Sequence, residues 1–164
     1  MLVVTAGLLS GCADDPGEPG DAVEANATVS RIVDGDTIVV RVDGTEERVR
    51  LIGIDTPESV DPRRPVMCFG KEAGAHIESL IPPGTPVRLE RDVEARDRYD
   101  RLLAYVVRAS DGVFVNLAMV ADGYADQYTF PPNVAHTDAF RDAVAEARTE
   151  GRGLWSACEH PFEE

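Results

Sequence analysis

The sequence is poor in positive charge, and in lysine above all. Its 164 residues carry 16 Lys and Arg against 30 Asp and Glu, which gives a formal net charge of −14, and Lys71 is the single lysine. Proteins that bind nucleic acid usually show the opposite balance, with basic residues grouped on one surface. Composition by itself therefore argues against a nucleic-acid-binding protein, and it predicts that non-specific attraction to polyanions is weak.

The chain also lacks an apolar run long enough to span a membrane. Residues 1–11 contain no ionisable side chain, but a stretch of this length is too short to cross a bilayer. The stretch ends in Leu-Ser-Gly directly before Cys12, which resembles a lipoprotein box. We therefore predict a signal peptide over residues 1–11 and lipidation of Cys12. The alternative is an ordinary frayed apolar terminus.

Residues 12–26 are acidic, rich in Gly and Pro, and contain no basic residue. Such a composition predicts a disordered tether. A tether that joins a lipid anchor to a folded domain over residues 27–159 predicts an exported protein, at the cell surface or in the extracellular space. Its membrane contact would be limited to the lipid on Cys12. One compact domain on a tether also predicts a monomer.

Cysteine and histidine are both scarce, with three residues of each. If Cys12 is lipidated, Cys68 and Cys158 remain, and an even remainder in an exported domain indicates one disulfide between them. The alternative is a pair of buried free thiols. The three histidines are widely spaced and none forms a ligand pair with another, so the pattern does not indicate a zinc site.

The order of strand and helix patterns predicts an α+β fold. Turn signals separate the apolar runs, which are typical of short strands. Two segments repeat apolar residues with the period of a helix, and Asn116 is placed to cap a third, shorter helix. The sequence therefore predicts a five-stranded OB-fold-like β-barrel with about three helices. The predicted segments are three strands within Thr28–Thr56, strands at Val87–Glu90 and Leu102–Val107, and helices at Phe69–Leu80, Asn116–Val120 and Asp138–Glu150.

Four acidic residues lie where predicted strands begin or end. Asp34 and Asp36 occupy the first turn, and Asp55 and Glu58 follow the third strand. In a meander these positions come close together, and clustered carboxylates repel one another unless a cation neutralises them. Carboxylate oxygens are the ligands that Ca²⁺ prefers, so the pattern indicates a calcium site. The alternative for either motif alone is a plain Asx turn.

Two arginines stand in apolar strand contexts. Arg50 lies inside Val49-Arg50-Leu51, and Arg101 directly precedes another strand. A lone charge in an apolar strand is costly unless it faces a groove or a partner. Because the guanidinium fork matches phosphate oxygens, both residues are candidate phosphate ligands. The alternative for each arginine alone is a surface salt bridge.

Together these stretches resemble the staphylococcal nuclease (thermonuclease) family over about residues 27–157. Weaker matches occur at Val115-Asn116, Gly123 and Gly153–Ser156. The resemblance rests chiefly on Val33–Thr37, Arg50–Glu58 and Asp97–Tyr105.

The resemblance implies a calcium-dependent phosphodiesterase that acts on single-stranded DNA and RNA. The expected reaction cleaves the P–O5′ bond and leaves 3′-phosphates. Asp36 and Asp55 would bind Ca²⁺ through their carboxylates and Thr56 through its backbone carbonyl. Glu58 would orient or deprotonate the attacking water.

The resemblance also implies how the substrate is held. Arg50 and Arg101 would stabilise the charge on the phosphate, Tyr99 would lie near the phosphate of the nucleotide, and Tyr128 would stack on a base. Two other hypotheses stay open: a binding module on the same barrel, as in tudor-associated repeats, and a calcium-stabilised surface protein without activity. The enzyme is favoured by the presence of all five charged site residues, which are Asp36, Arg50, Asp55, Glu58 and Arg101.

Overall fold

The computed structural model describes residues 20–63 and 65–162, which form a β-barrel surrounded by helices. The predicted signal peptide and Cys12 lie outside these residues. The strands are β1 Ala27–Ile32, β2 Thr37–Val42, β3 Thr45–Leu51, β4 Gly53–Asp55, β5 Pro86–Glu90, β6 Leu102–Arg108 and β7 Asp126–Tyr128, and the helices are α1 Gly70–Leu80, α2 Val115–Ala121, α3 Thr137–Glu150 and α4 Leu154–Ala157.

Five strands close the barrel in the order β1-β2-β3-β6-β5, with β5 pairing back onto β1. The β3–β6 pair is parallel and the other four pairs are antiparallel. Alternate residues point inward, as the strand period requires, so that Ile38 and Val40 of β2 meet Val49 and Leu51 of β3 in the core. The predicted five-stranded barrel is confirmed. The described residues contain four helices rather than about three, because residues 154–157 add one short turn.

The third predicted strand is broken at Gly53. The sequence suggests one continuous strand through Ile54, but Gly53 has a φ of +83°, and a Cβ at this position would collide with the ring of Phe140. Only glycine accepts this conformation and this close approach. The chain therefore leaves the barrel wall after Leu51, and β4 pairs with β7 instead. This turn carries Asp55 to the outside of the barrel.

Asn116 does not cap α2, so that prediction is wrong. The residue lies inside the helix, is fully buried, and uses its amide to satisfy backbone groups where the β3–β6 ladder ends. Its Nδ2 donates to the carbonyls of Ile52 (2.8 Å) and Ala104 (3.3 Å), and its Oδ1 accepts from the N–H of Val106 (2.8 Å). Buried backbone groups need such partners, so Asn116 joins α2 to the barrel.

Asn116→Ala should destabilise the protein by about 3 kcal/mol, because it leaves buried backbone groups without partners. Urea unfolding followed by circular dichroism measures the change. Asn26 provides a matched control, since its amide also binds a backbone N–H and carbonyl, both on Leu89, but in an exposed position. Asn26→Ala should cost less than about 1 kcal/mol. Equal losses in the two variants would contradict this account of Asn116.

The end of the predicted tether belongs to the packed part of the chain. The N–H of Val23 donates to the carbonyl of Ala109, and the side chain of Asn26 binds Leu89. Hydrogen bonding to the barrel therefore begins before Ala27, where the sequence predicts the domain boundary.

No helix in the described ranges is long and apolar enough to cross a membrane.

Cys68 and Cys158 form a disulfide across 90 residues of sequence. The bond joins the chain just before α1 to the residue that ends α4. It thus ties the C-terminal end of the domain to the segment that follows Glu58.

Replacing both cysteines by serine should lower the free energy of unfolding by about 4 kcal/mol, since a loop of this length restricts the unfolded chain strongly. Thermal and urea unfolding of the oxidised protein, the reduced protein and Cys68→Ser/Cys158→Ser measure this. Reduction should reproduce the effect of the double variant. A reduced protein as stable as the oxidised one would show that the bond contributes nothing.

Candidate functional site

Asp36 is the centre of a hydrogen-bonded cluster at the start of β2. Its Oδ2 accepts from the backbone N–H of Thr56 (3.1 Å) and from the Thr56 hydroxyl (3.2 Å), while its Oδ1 accepts from the hydroxyl of Thr37 (3.0 Å). All three residues are buried. The structure therefore brings the predicted residues Asp36 and Thr56 into direct contact across 20 residues of sequence.

Arg50 lies between the two predicted metal-binding carboxylates. Its Nη2 is 3.1 Å from Oδ2 of Asp36 and 3.0 Å from Oδ1 of Asp55, and its Nη1 donates to the carbonyls of Leu51 and Ile54, each at 2.8 Å. The break at Gly53 makes these carbonyls available, since the chain curls around the guanidinium group. With four contacts and a side chain only 15% exposed, Arg50 is held in one orientation.

Asp34 joins this cluster. The sequence places it among the clustered carboxylates but does not assign it as a metal ligand. Its Oδ1 accepts from the N–H of Asp36 at 3.1 Å. Burial, and then the charge of Asp36, raise the pKa of Asp34 to about 7. Its position two residues before Asp36 in a tight turn is the signal that could have predicted this hydrogen bond.

The carboxylates hold more negative charge than Arg50 offsets. Burial raises the pKa of Asp55 to about 6 although Arg50 lowers it, and Asp36, Asp126 and Glu58 raise it further. In the described ranges no three His, Cys, Asp or Glu side chains are already arranged around one point as metal ligands. The donor set is nevertheless made of oxygens with excess negative charge, and this fits a hard cation such as Ca²⁺.

Glu58 points toward its own loop. Its Oε1 accepts from the N–H groups of Val60 (2.7 Å) and Asp61 (3.0 Å), which fixes the carboxylate in the turn after β4. The N–H of Met67 donates to the Glu58 carbonyl at 2.8 Å and closes this loop. Glu58 is thus close enough to raise the pKa of Asp55 by charge, but no hydrogen bond joins it to the cluster in the described part of the chain.

A cleft of about 600 Å³ opens beside the cluster. Arg50 and Asp55 form one side of it, and Arg101 enters from the start of β6. Nε of Arg101 donates to Oδ2 of Asp97 at 2.7 Å, and Asp97 also accepts from the N–H groups of Arg101 and Tyr99. Burial acts to raise the pKa of Asp97, but these hydrogen bonds outweigh it and hold the pKa below its usual range. Asp97, which sequence reasoning missed, is a charged anchor for Arg101.

Aromatic side chains form the outer part of the cleft. Tyr99, Tyr128 and Phe130 are all more than half exposed and all line it. The rings of Tyr128 and Phe130 lie 6.4 Å apart and are nearly parallel. Exposed, parallel rings beside arginines suit the stacking of nucleobases. Phe130 was not singled out from the sequence, because an aromatic residue before Pro131 gives no signal of its own.

Carboxylates and arginines gathered beside an aromatic-lined cleft on a closed five-stranded barrel form a site suited to a phosphate and its nucleobase. The family model described as staphylococcal nuclease homologue matches residues 48–157. The chain belongs to this family.

Curated relatives agree with this assignment. The chain is 41% identical over 127 residues to the thermonuclease of Staphylococcus intermedius, a match that covers 77% of this chain and 74% of that protein. It is 36% identical over 136 residues to the thermonuclease of Staphylococcus hyicus, covering 83% and 79%. It is also 37% identical over 133 residues to endonuclease YncB of Bacillus subtilis, covering 80% of this chain and 62% of that protein.

Without calcium, the wild-type protein should lose stability relative to Asp34→Asn as pH rises from about 4 to about 7. The pKa of Asp34 is about 7 in the folded protein and lower in the unfolded chain. Between these values the unfolded chain ionises more readily than the folded protein, so the free energy of unfolding falls as pH rises. Asparagine stays neutral and still accepts from the N–H of Asp36. Urea unfolding of both proteins in chelator across this range measures the difference, and a constant difference would contradict it.

Proposed function

We propose that this chain is a calcium-dependent nuclease that hydrolyses phosphodiester bonds of single-stranded DNA and RNA. The reaction cleaves the P–O5′ bond and leaves 3′-phosphates. The observation that carries the proposal is the position of Arg50, which is fixed against Asp36 and Asp55 at the wall of a cleft of nucleotide size.

Asp36, Asp55 and the backbone carbonyl of Thr56 would hold the calcium ion. When bound, the ion would supply positive charge for the phosphate and lower the pKa of a water molecule. Burial first, and then the charge of neighbouring carboxylates, raise the pKa values of Asp34 and Asp55. A bound cation would offset the part that comes from this repulsion, which supports the proposal.

Arg50 and Arg101 would bind the phosphate from two sides of the cleft. A phosphodiester gains negative charge on its non-bridging oxygens as water attacks, and guanidinium groups that are already oriented stabilise that charge. Asp97 binds only the Nε of Arg101. The two Nη groups of Arg101 donate no hydrogen bond to any residue of the described ranges. These groups are therefore available to the substrate.

Glu58 would orient the attacking water and accept its proton. Backbone N–H groups bind only its Oε1, so Oε2 has no hydrogen-bond donor among the residues that the structure describes. Tyr99, Tyr128 and Phe130 would hold the nucleotide by ring contacts.

We further propose that the protein is an exported monomer, anchored by lipid at Cys12 or released. The Cys68–Cys158 bond supports export, because structural disulfides persist in oxidising compartments.

Arg50→Gln and Glu58→Gln should each lower the rate of cleavage of single-stranded DNA by about 10²–10³, since each removes a charge that acts on the transition state. Release of acid-soluble nucleotides in calcium and in excess chelator measures the rate, and the chelator should abolish it. Arg88→Gln is the matched control, because Arg88 is an exposed, ion-paired arginine on β5 outside the cleft. A folded wild-type protein that binds DNA without cutting it would support the binding-module hypothesis instead.

A further inference from the structure

Most arginines of this acidic protein are already neutralised by carboxylates. In the described ranges ten arginines have an Asp or Glu oxygen within ion-pair distance, Arg50 and Arg101 among them. Within the same ranges the arginines without such a partner are Arg31, Arg48, Arg91 and Arg98. A polyanion that approaches this protein therefore has few unneutralised cations to meet.

Two of these arginines lie on the same outer face of the barrel. Arg31 of β1 is directly opposite Val39 of β2, and Val39 is directly opposite Arg48 of β3. Directly opposite residues in a sheet project from the same side. That side is the outer one, because the adjacent residues Ile38 and Val49 point into the core.

Val39 provides a second sign of this arrangement. It is only 1% exposed although it faces away from the core cluster. Its direct neighbours on the two flanking strands, β1 and β3, are the exposed residues Arg31 and Arg48. The aliphatic stem of an arginine can cover an apolar side chain while its charged end stays in water. The two guanidinium groups are thus held near one patch of surface.

The patch is continuous with the cleft. Arg48 precedes Arg50 by two residues on the same face of β3, a distance of about 7 Å along the strand. Arg50 is opposite Leu103 of β6, and both residues line the cleft. A chain that leaves the cleft past Arg50 therefore meets Arg48 next, and then Arg31 across β2.

Arg41 extends the patch by one row. It lies two residues beyond Val39 on the same face of β2, and its contact with Glu46 is long, at 3.9 Å, between two well-exposed side chains. Exposed ion pairs of this kind contribute little. We name the group formed by Arg31, Arg41 and Arg48 the arginine face.

We propose that the arginine face binds the phosphate backbone of the nucleic-acid strand beyond the nucleotide that occupies the cleft. The proposal rests on the proposed nuclease function and adds the direction that the substrate takes across the protein. Arginine without a carboxylate partner is suited to phosphate, and the row of guanidinium groups suits a linear polyanion. In a chain with a net charge of −14, this face brings three arginines together beside Glu46, so positive charge is in excess among these four residues.

The test compares a dinucleotide, which fills only the cleft, with a single-stranded oligonucleotide long enough to reach the arginine face. For Arg31→Gln/Arg48→Gln we expect KM for the oligonucleotide to rise several-fold, with kinetics on the dinucleotide unchanged. The slope of log affinity against log salt should fall by about 1.4, since each lost single-strand phosphate contact removes about 0.7. Glutamine keeps part of the stem that covers Val39.

Two control variants separate charge from packing. Arg31→Lys/Arg48→Lys keeps the charge and should retain the wild-type salt slope and KM. Arg141→Gln, on α3, removes another exposed arginine and should change neither. Wild-type KM and salt slope in the glutamine variant would overturn the proposal, and so would equal losses on both substrates with a lowered melting temperature.

Direct binding distinguishes this proposal from the function on which it rests. Fluorescence anisotropy of a labelled oligonucleotide, in chelator, measures affinity without cleavage. If the wild type binds the oligonucleotide but never cuts it, the nuclease proposal fails, whereas weaker binding by the glutamine variant alone still supports the arginine face. If the wild type and the glutamine variant bind equally, the arginine face is wrong whatever the activity.

Discussion

The site depends on one guanidinium group placed between two carboxylates. Asp36 lies in the turn before β2 and Asp55 at the end of β4, and their charges would drive them apart if nothing lay between them. Arg50 holds both, and two backbone carbonyls fix its own orientation. Those carbonyls lie within reach of the guanidinium group because Gly53 turns the chain out of the barrel wall against Phe140. The geometry of the charged cluster is therefore set by a packing contact in which no charged group takes part.

The barrel could be predicted from the sequence because its strands carry local signals. Apolar runs and Asp-Gly turns mark β1, β2 and β3, and each needs only neighbouring residues to be recognised. The break at Gly53 could not be predicted, since it depends on the ring of Phe140, which is distant in sequence. Asn116 was misjudged for the same reason. Its polar side chain before a helical pattern indicates a cap, but it is buried in the core, where it binds backbone groups of Ile52, Ala104 and Val106.

The site was predictable as a set of residue types and less so as an arrangement. Asp36, Thr56, Arg50 and Asp55 converge as the motifs predict. Asp97 was missed, and Asp34 was recognised only as one of the clustered carboxylates, because their roles arise through neighbouring residues and spacing alone does not show such contacts. The orientation of Glu58 depends on backbone N–H groups of its own loop, which no residue pattern reveals.

The disulfide divides the residues of the site between two parts of the chain. Arg101 and the aromatic residues of the cleft lie inside the covalent ring from Cys68 to Cys158, whereas Asp36, Arg50 and Asp55 lie before it. A protease that cuts the exposed segment at residues 98–100, beside the cleft, would therefore leave both pieces of the ring joined. A protein built in this way can be cut beside its cleft and still remain one covalent molecule.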